Sequence, residues 1–144
     1  MGVKAHLSLF FAKYIVAKNK RWEKNPIKYQ QRILLELVNS AKNTAFGKKH
    51  CFSKIKSYDD FKRMVPVRDY EGLRPYIERA LKGEGAVLWP KKPIYFCKTS
   101  GTTSGTKYIP ITKESMPNHI VAARDSILCY IAETKNTSIV DGKM

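Results

Sequence analysis

From Thr99 to Thr106 the chain runs through eight consecutive residues that are only glycine, serine or threonine, and Lys107 follows. Ile94-Tyr95-Phe96-Cys97 leads into this run and Lys107-Tyr108-Ile109-Pro110-Ile111-Thr112 leads out of it. Both flanks read as extended, and Pro110 restricts the second to a sheet edge or a bulge. The run between them must therefore be a loop, and its chemistry suits anionic oxygens. Glycine permits left-handed or tightly folded backbone, so that several N–H groups can converge as a nest. The hydroxyls of Ser100, Thr102, Thr103 and Ser104 add donors on rotatable stems, and Lys107 adds a positive charge suited to phosphate.

Three other accounts of the loop compete with phosphate binding. A flexible Gly/Ser linker between domains fits poorly, because apolar runs lie close on both sides. A long hairpin connection without function is the second. The third is the Walker-type phosphate loop, which needs four residues between its glycines and Lys directly after the second. Here three residues separate Gly101 from Gly105, Thr106 precedes Lys107, and Tyr-Ile-Pro-Ile follows where a helix should open. The Walker account fails.

The rest of the chain divides at Gly83. Before it, apolar residues recur at helical spacing. Val3, Leu7, Phe10, Phe11, Tyr14 and Ile15 predict one face of an amphipathic helix, with surface attachment to a membrane as the functional alternative. Lys13 and Lys18 interrupt it and no cleavage site follows, which argues against a signal peptide. Asn25-Pro26 reads as a helix start, with Ile27, Ile33, Leu34, Leu37, Val38 and Ala41 as the buried stripe to about Asn43, and Gly47 as a turn residue. Ser57 to Asp60 resembles a capping box for a short helix ending before Pro66. Asp69 is expected to cap a third segment that Pro75 restarts, with Tyr76, Ile77 and Leu81 inward. After Gly83, Ala86-Val87-Leu88-Trp89 and Ile94 to Cys97 read as strands. A helix is expected over roughly Ser115 to Thr134, with Met116, Ile120, Ala123, Ile127, Leu128 and Ile131 on one face, and Ser138-Ile139-Val140 as the start of another strand. The expected class is α/β: one incomplete domain over residues 1–144, mainly helical in 1–82, with strands, loop and helix in 83–144.

Lys98-Thr99-Ser100-Gly101-Thr102-Thr103-Ser104-Gly105-Thr106-Lys107 resembles the Ser/Thr/Gly-rich signature of the adenylate-forming enzymes, a superfamily that includes acyl-CoA synthetases, luciferases and peptide-synthetase adenylation domains. The closer resemblance is to the auxin-responsive acyl-acid-amido synthetases and their bacterial relatives, whose motif similarly places an extra residue between the Thr/Ser pair and its second glycine. Asn43 to Gly47, Tyr58 to Tyr70, Arg74-Pro75-Tyr76-Ile77, Val87-Leu88-Trp89-Pro90 and Lys107 to Thr112 resemble that family in the same order. Two departures stand out. Thr106 occupies the position where the broad superfamily usually has proline, and Gly105 and Lys107 are a residue closer than in many amido synthetases.

The resemblance implies the opening part of an adenylate-forming N-terminal domain. It implies ATP with Mg²⁺, a carboxylic acid activated as an acyl-adenylate, and an amine such as an amino acid as acceptor. It also implies that Thr99, Ser100, Gly101, Thr102, Thr103, Ser104, Gly105 and Lys107 hold phosphate. It identifies no catalytic residue. Such enzymes are several times longer than 144 residues, so the chain reads as an N-terminal fragment with incompletely covered apolar faces, expected to self-associate or dissolve poorly.

Charge supports a rival reading. The net charge is +15, and residues 1–64 hold 15 Lys/Arg against 4 acids, while 65–144 hold 12 against 8. Lys18, Lys20, Arg21, Lys24 and Lys28 surround Trp22, a pattern that can follow a phosphate backbone while the ring stacks on a base. No nucleic-acid motif accompanies it, so specific nucleic-acid binding is not expected. A small basic module for nucleic acid or anionic membrane is the alternative function, and an inactive fragment is the third. No apolar stretch is long enough to span a membrane. Cys51, Cys97 and Cys129 share no metal or disulfide spacing, which points to a reducing cytoplasm and no metal ligands. Cys97 is expected to be a buried thiol, His6, His50 and His119 to serve as surface or packing residues, Asp59-Asp60 to cap a helix, and Glu114 and Asp125 to lie on helix surface.

Overall fold

The computed structural model describes residues 3–99 and 105–140. Residues Ile27–Ser115 form one compact unit, and the helices before and after them in sequence form a second.

The second unit is built on α1 (Val3–Asn19) and α6 (Met116–Thr134), followed by a 3-10 turn at Ser138–Val140. Ala12, Ile15, Leu128 and Ile131 form its core, with Leu9 and Ala132 against it. The buried stripe of α1 is therefore not the expected one. Leu7, Phe10, Phe11 and Tyr14 are exposed, whereas small Ala12 lets the helices approach closely and is fully buried. Likewise Ile120 and Ile127 of α6 are exposed, and only Leu128 and Ile131 of the expected face are buried. A polar clasp joins the pair. Asn19 Nδ2 donates to Asp125 Oδ2 at 2.9 Å, and the Arg124 guanidinium donates to Asp125 Oδ1 at 2.6 and 2.8 Å. Asp125 is thus a contact between helices and not the plain surface residue expected.

In the other unit, α2 (Pro26–Ala41) starts at Pro26 as expected and buries Val38 and Ala41, while Ile27, Ile33 and Leu37 remain exposed. Val38, Ala41, Phe52 and Ile55 form the core, joined by Leu34, Phe46, Phe61, Met64, Val65 and Trp89. Gly47 is not in a turn. It lies inside α3 (Ala45–Lys49), where an added Cβ would stand 2.1 Å from the Ala41 carbonyl oxygen. Thr44 caps α3: its buried hydroxyl accepts from the Gly47 N–H at 2.9 Å and donates to the Ala41 carbonyl at 2.7 Å.

Ala86 to Trp89 is no strand. Its carbonyls serve a helix instead, the Ala45 N–H donating to Ala86 at 2.8 Å and the Phe46 N–H to Val87 at 3.0 Å. The first-turn donors of α3, which have no acceptor within their own helix, occupy the groups a strand would use for a ladder. Helix α4 (Tyr58–Met64) begins at Ser57, whose hydroxyl accepts from the Asp60 N–H at 3.1 Å, while Asp60 accepts from the Lys56 N–H at 3.1 Å. The Lys56 amide foremost, then the Ser57 hydroxyl and the Arg63 guanidinium, hold the Asp60 carboxyl below its usual range.

Helix α5 (Tyr70–Leu81) is capped by Asp69, which accepts from the Gly72 N–H at 2.9 Å, and it runs through Pro75 without restarting. Tyr76, Ile77 and Ala80 are buried, whereas Leu81, expected inward, is exposed. Its end is a Schellman closure: Gly83 at φ +84° bonds to Ala80, and the Glu84 N–H reaches Arg79. The strands β1 (Tyr95–Thr99) and β2 (Lys107–Ile111) form one antiparallel hairpin. The α/β expectation holds in part. The described residues are mostly helical with this hairpin and a C-terminal helix, and Ser138–Val140 is a 3-10 turn, not a strand.

Two outcomes test this packing. Gly47→Ala forces Cβ into a backbone oxygen and should destabilise the fold by about 2 kcal/mol or more, in the range of overpacked cores. Gly85→Ala, where the nearest atom is the flexible Lys92 Cγ at 3.5 Å, should be tolerated in the same chemical-denaturation experiment. The Asn19 amide, then Arg124, lower the Asp125 pKa from its usual value. The clasp therefore stabilises fully above the ordinary aspartate range and is lost as pH falls through the lowered folded value. Asp125→Asn should flatten the loss of thermal stability on acidification, measured by melts from neutral pH to about pH 3.

Candidate functional site

The hairpin places the two ends of the Gly/Ser/Thr run side by side. Its register pairs Tyr95 with Ile111, Phe96 with Pro110, Cys97 with Ile109, Lys98 with Tyr108 and Thr99 with Lys107. Thr99 and Lys107 are thus the last pair before the connection. Ser100, Gly101, Thr102, Thr103 and Ser104 lie outside the described residues. Gly105 is described, and its φ of +80° is a backbone conformation that L side chains rarely adopt. Among the described residues no neighbour would touch a Cβ there, and the positive φ by itself calls for glycine.

Helix α5 meets β2 at the loop exit. The Tyr108 N–H donates to the Tyr70 hydroxyl at 2.8 Å. The Lys107 ammonium stands 5.6 Å from the centre of the same tyrosine ring. The Arg74 guanidinium lies 5.9 Å from that ring and 3.2 Å from the Glu71 carboxylate. Lys107 has no ion pair among the described residues, so its charge is free to meet an anion, whereas that of Arg74 is partly offset. Tyr70 and Arg74 carried no signal of this role in the sequence, because Tyr108 lies 38 positions beyond Tyr70. The fold alone brings them together.

The linker account of the run loses its basis, since β1 and β2 pair directly across it. The Walker account fails again, because a strand and not a helix follows Lys107. Cys97 is exposed, contrary to the expected buried thiol; an outer strand of a two-stranded hairpin has one face open. Of the histidines, His50 is buried and packs. Its Nδ1–H donates to the Met64 carbonyl at 2.9 Å and Nε2 accepts from Arg68 at 3.2 Å, which fixes the neutral tautomer. Asp59 and Asp60 serve α4, with Lys62 and Arg63 as their ion-pair partners. Glu114 precedes α6 and pairs with Lys91 at 3.3 Å. Among the described residues no group of three or more His, Cys, Asp or Glu could hold a metal ion, and no helix is long and apolar enough to cross a membrane.

Residues 16–143 match the GH3 family N-terminal domain. The chain belongs to the GH3 family. It is 32% identical over 95 residues to an indole-3-acetic acid-amido synthetase of Arabidopsis thaliana, GH3.2, an alignment covering 65% of this chain and 17% of that protein. A probable indole-3-acetic acid-amido synthetase of Oryza sativa, GH3.13, is 45% identical over 58 residues, 39% of this chain and 12% of that one. A further indole-3-acetic acid-amido synthetase of Arabidopsis thaliana, GH3.15, is 43% identical over 63 residues, 42% of this chain and 11% of that protein. The chain thus spans less than a fifth of the length of these relatives.

Gly105→Ala tests the hairpin geometry. An alanine held at positive φ costs about 1 kcal/mol. The β1–β2 amides should exchange with solvent about fivefold faster, read by hydrogen exchange, without change in α2 or α3.

Proposed function

We propose that this GH3-family chain supplies the phosphate-holding loop of an ATP-dependent acid–amido ligase. Membership of the family is the observation that carries the reading, and the loop anchored between Thr99 and Lys107 supports it. On this reading residues 99–105 wrap the β- and γ-phosphates with backbone N–H groups and hydroxyls, and Lys107 offsets charge on the departing pyrophosphate. The carboxylate of an acid attacks the α-phosphate to give an acyl-adenylate, and an amine then displaces AMP. That relatives are indole-3-acetic acid-amido synthetases suggests an indole-3-acetic acid-like carboxylate as one substrate, and the family resemblance suggests an amine such as an amino acid as the other. Magnesium would enter with the nucleotide, held mainly by phosphate oxygens and water. The described residues fit a polyphosphate in charge and in backbone: an unpaired lysine, a left-handed glycine and a polar hairpin end.

Binding tests the reading directly. The isotopically labelled chain, titrated with inorganic tripolyphosphate at fixed ionic strength, should show amide shifts concentrated between Thr99 and Tyr108. Gly101→Val should weaken binding more than Lys107→Ala, because a misplaced nest loses several charge-assisted hydrogen bonds of about 1.5–3 kcal/mol each. Thr102→Ala and Ser104→Ala should fall between. The 144 residues alone should release no pyrophosphate from ATP with a panel of carboxylic acids. Shifts spread over the basic residues 18–28, with oligonucleotide binding that persists at physiological salt, would favour the basic-module alternative.

A further inference from the structure

The hydrogen bonds around β2 give Lys107 a fixed support that lies outside the glycine-hydroxyl run. Pro110 has no N–H, and in a strand the groups at i and i+2 point to the same edge. The Tyr108 N–H therefore faces the same edge as the Pro110 nitrogen, and it finds its acceptor in the Tyr70 hydroxyl at 2.8 Å. Tyr70 itself is well anchored. It is the first residue of α5, directly after the Asp69 cap, and α5 is held by buried Tyr76, Ile77 and Ala80. One side chain thus makes two contacts with consecutive residues of β2: its hydroxyl takes the backbone of Tyr108, and its ring carries the ammonium of Lys107 at 5.6 Å. A two-stranded hairpin is marginal by itself, so this outside anchor decides where the first residues of β2 sit. Arg74, on the same ring, is drawn to Glu71 and does not compete for the place of the lysine.

We infer that Tyr70 is a positioning residue for the phosphate site, holding the Lys107 ammonium at the loop exit through its hydroxyl and its ring together. This role rests on the phosphate reading above, but it assigns to α5 a function that neither the loop nor the family resemblance names. The ring face attracts the ammonium while no anion is present, and the hydroxyl keeps the main chain of the lysine's neighbour in register when the ammonium turns toward phosphate.

A double-mutant cycle on the whole chain decides the point. Tripolyphosphate affinity is measured for wild type, Tyr70→Leu, Lys107→Ala and the double variant, with Tyr70→Phe as the conservative change that keeps the ring. Tyr70→Leu should weaken binding about as much as Lys107→Ala, on the order of tenfold, and should add almost nothing in the Lys107→Ala background. Tyr70→Phe should cost only about threefold and should speed exchange of the Tyr108 amide, whose acceptor it removes. If the Tyr70→Leu and Lys107→Ala losses multiply in the double variant, Tyr70 does not act through the lysine and the assignment falls. Unchanged Tyr108 exchange in Tyr70→Phe overturns it equally, and that variant carries the test should Tyr70→Leu fail to fold. A wild-type chain that binds no tripolyphosphate sinks the phosphate reading and this role with it, whereas binding with a multiplicative cycle sinks this role alone.

Discussion

The first N–H groups of α3 have no carbonyl within their own helix, and the way the chain satisfies them organises the unit that carries the hairpin. Ala45 and Phe46 donate to the carbonyls of Ala86 and Val87, about forty residues on, and Gly47 donates to the buried Thr44 hydroxyl. Leaving such donors unpaired in the interior costs about 1–3 kcal/mol each, so the 86–89 segment is held to α3 whatever its own preference. Val87, at 1% exposure, packs in the same place. From that junction the chain has a short path to β1. The junction with α3 thereby leads into β1, and α5 holds the chain where β2 begins.

This dependence explains what was legible in the sequence. Helix starts were readable because capping is local: Pro26, Ser57 and Asp69 each act within three or four residues of their own position. The extended flanks of the Gly/Ser/Thr run were readable for the same reason, since Pro110 and the apolar runs on either side constrain only their own stretch. Ala86 to Trp89 was not, because an apolar run bounded by glycine and proline says that backbone groups need partners without saying which. Its acceptors were claimed by a helix distant in sequence. Gly47 was misread in the same way: glycine suggests a turn, but here it permits the Ala41 carbonyl to lie where a side chain would stand.

The faces of α1 and α6 were legible in kind and not in detail. Both helices are apolar over much of their circumference, so periodicity could not choose among several stripes. Close packing chose the one containing Ala12, and left Phe10 at 76% exposure. The candidate site divides similarly. The loop composition was visible as a string, whereas Tyr70 stood among residues matched to a family with no chemistry attached. Only the register of β2 against β1, which turns the Tyr108 N–H away from its partner strand, gives that tyrosine something to do.

Charge ties these observations together. Seven of the described cations pair with carboxylates, and most of those pairs lie within one helix at spacings of three or four residues or beside a helix end. Such exposed pairs add little to stability, but they neutralise the cations they engage. With 27 basic residues against 12 acidic ones, a large surplus stays uncompensated, and a surplus spread over the surface attracts any anion weakly. Selectivity requires a cation held in one place next to donors of fixed direction. On the phosphate reading, Lys107 meets that condition in a way the basic cluster around Trp22 does not: its backbone neighbour is hydrogen-bonded to α5, its ammonium rests on an anchored ring, and it is the first paired residue after a run of hydroxyls and glycines. On that reading the long-range field draws anions to the protein, and the hairpin end is where that attraction acquires a geometry.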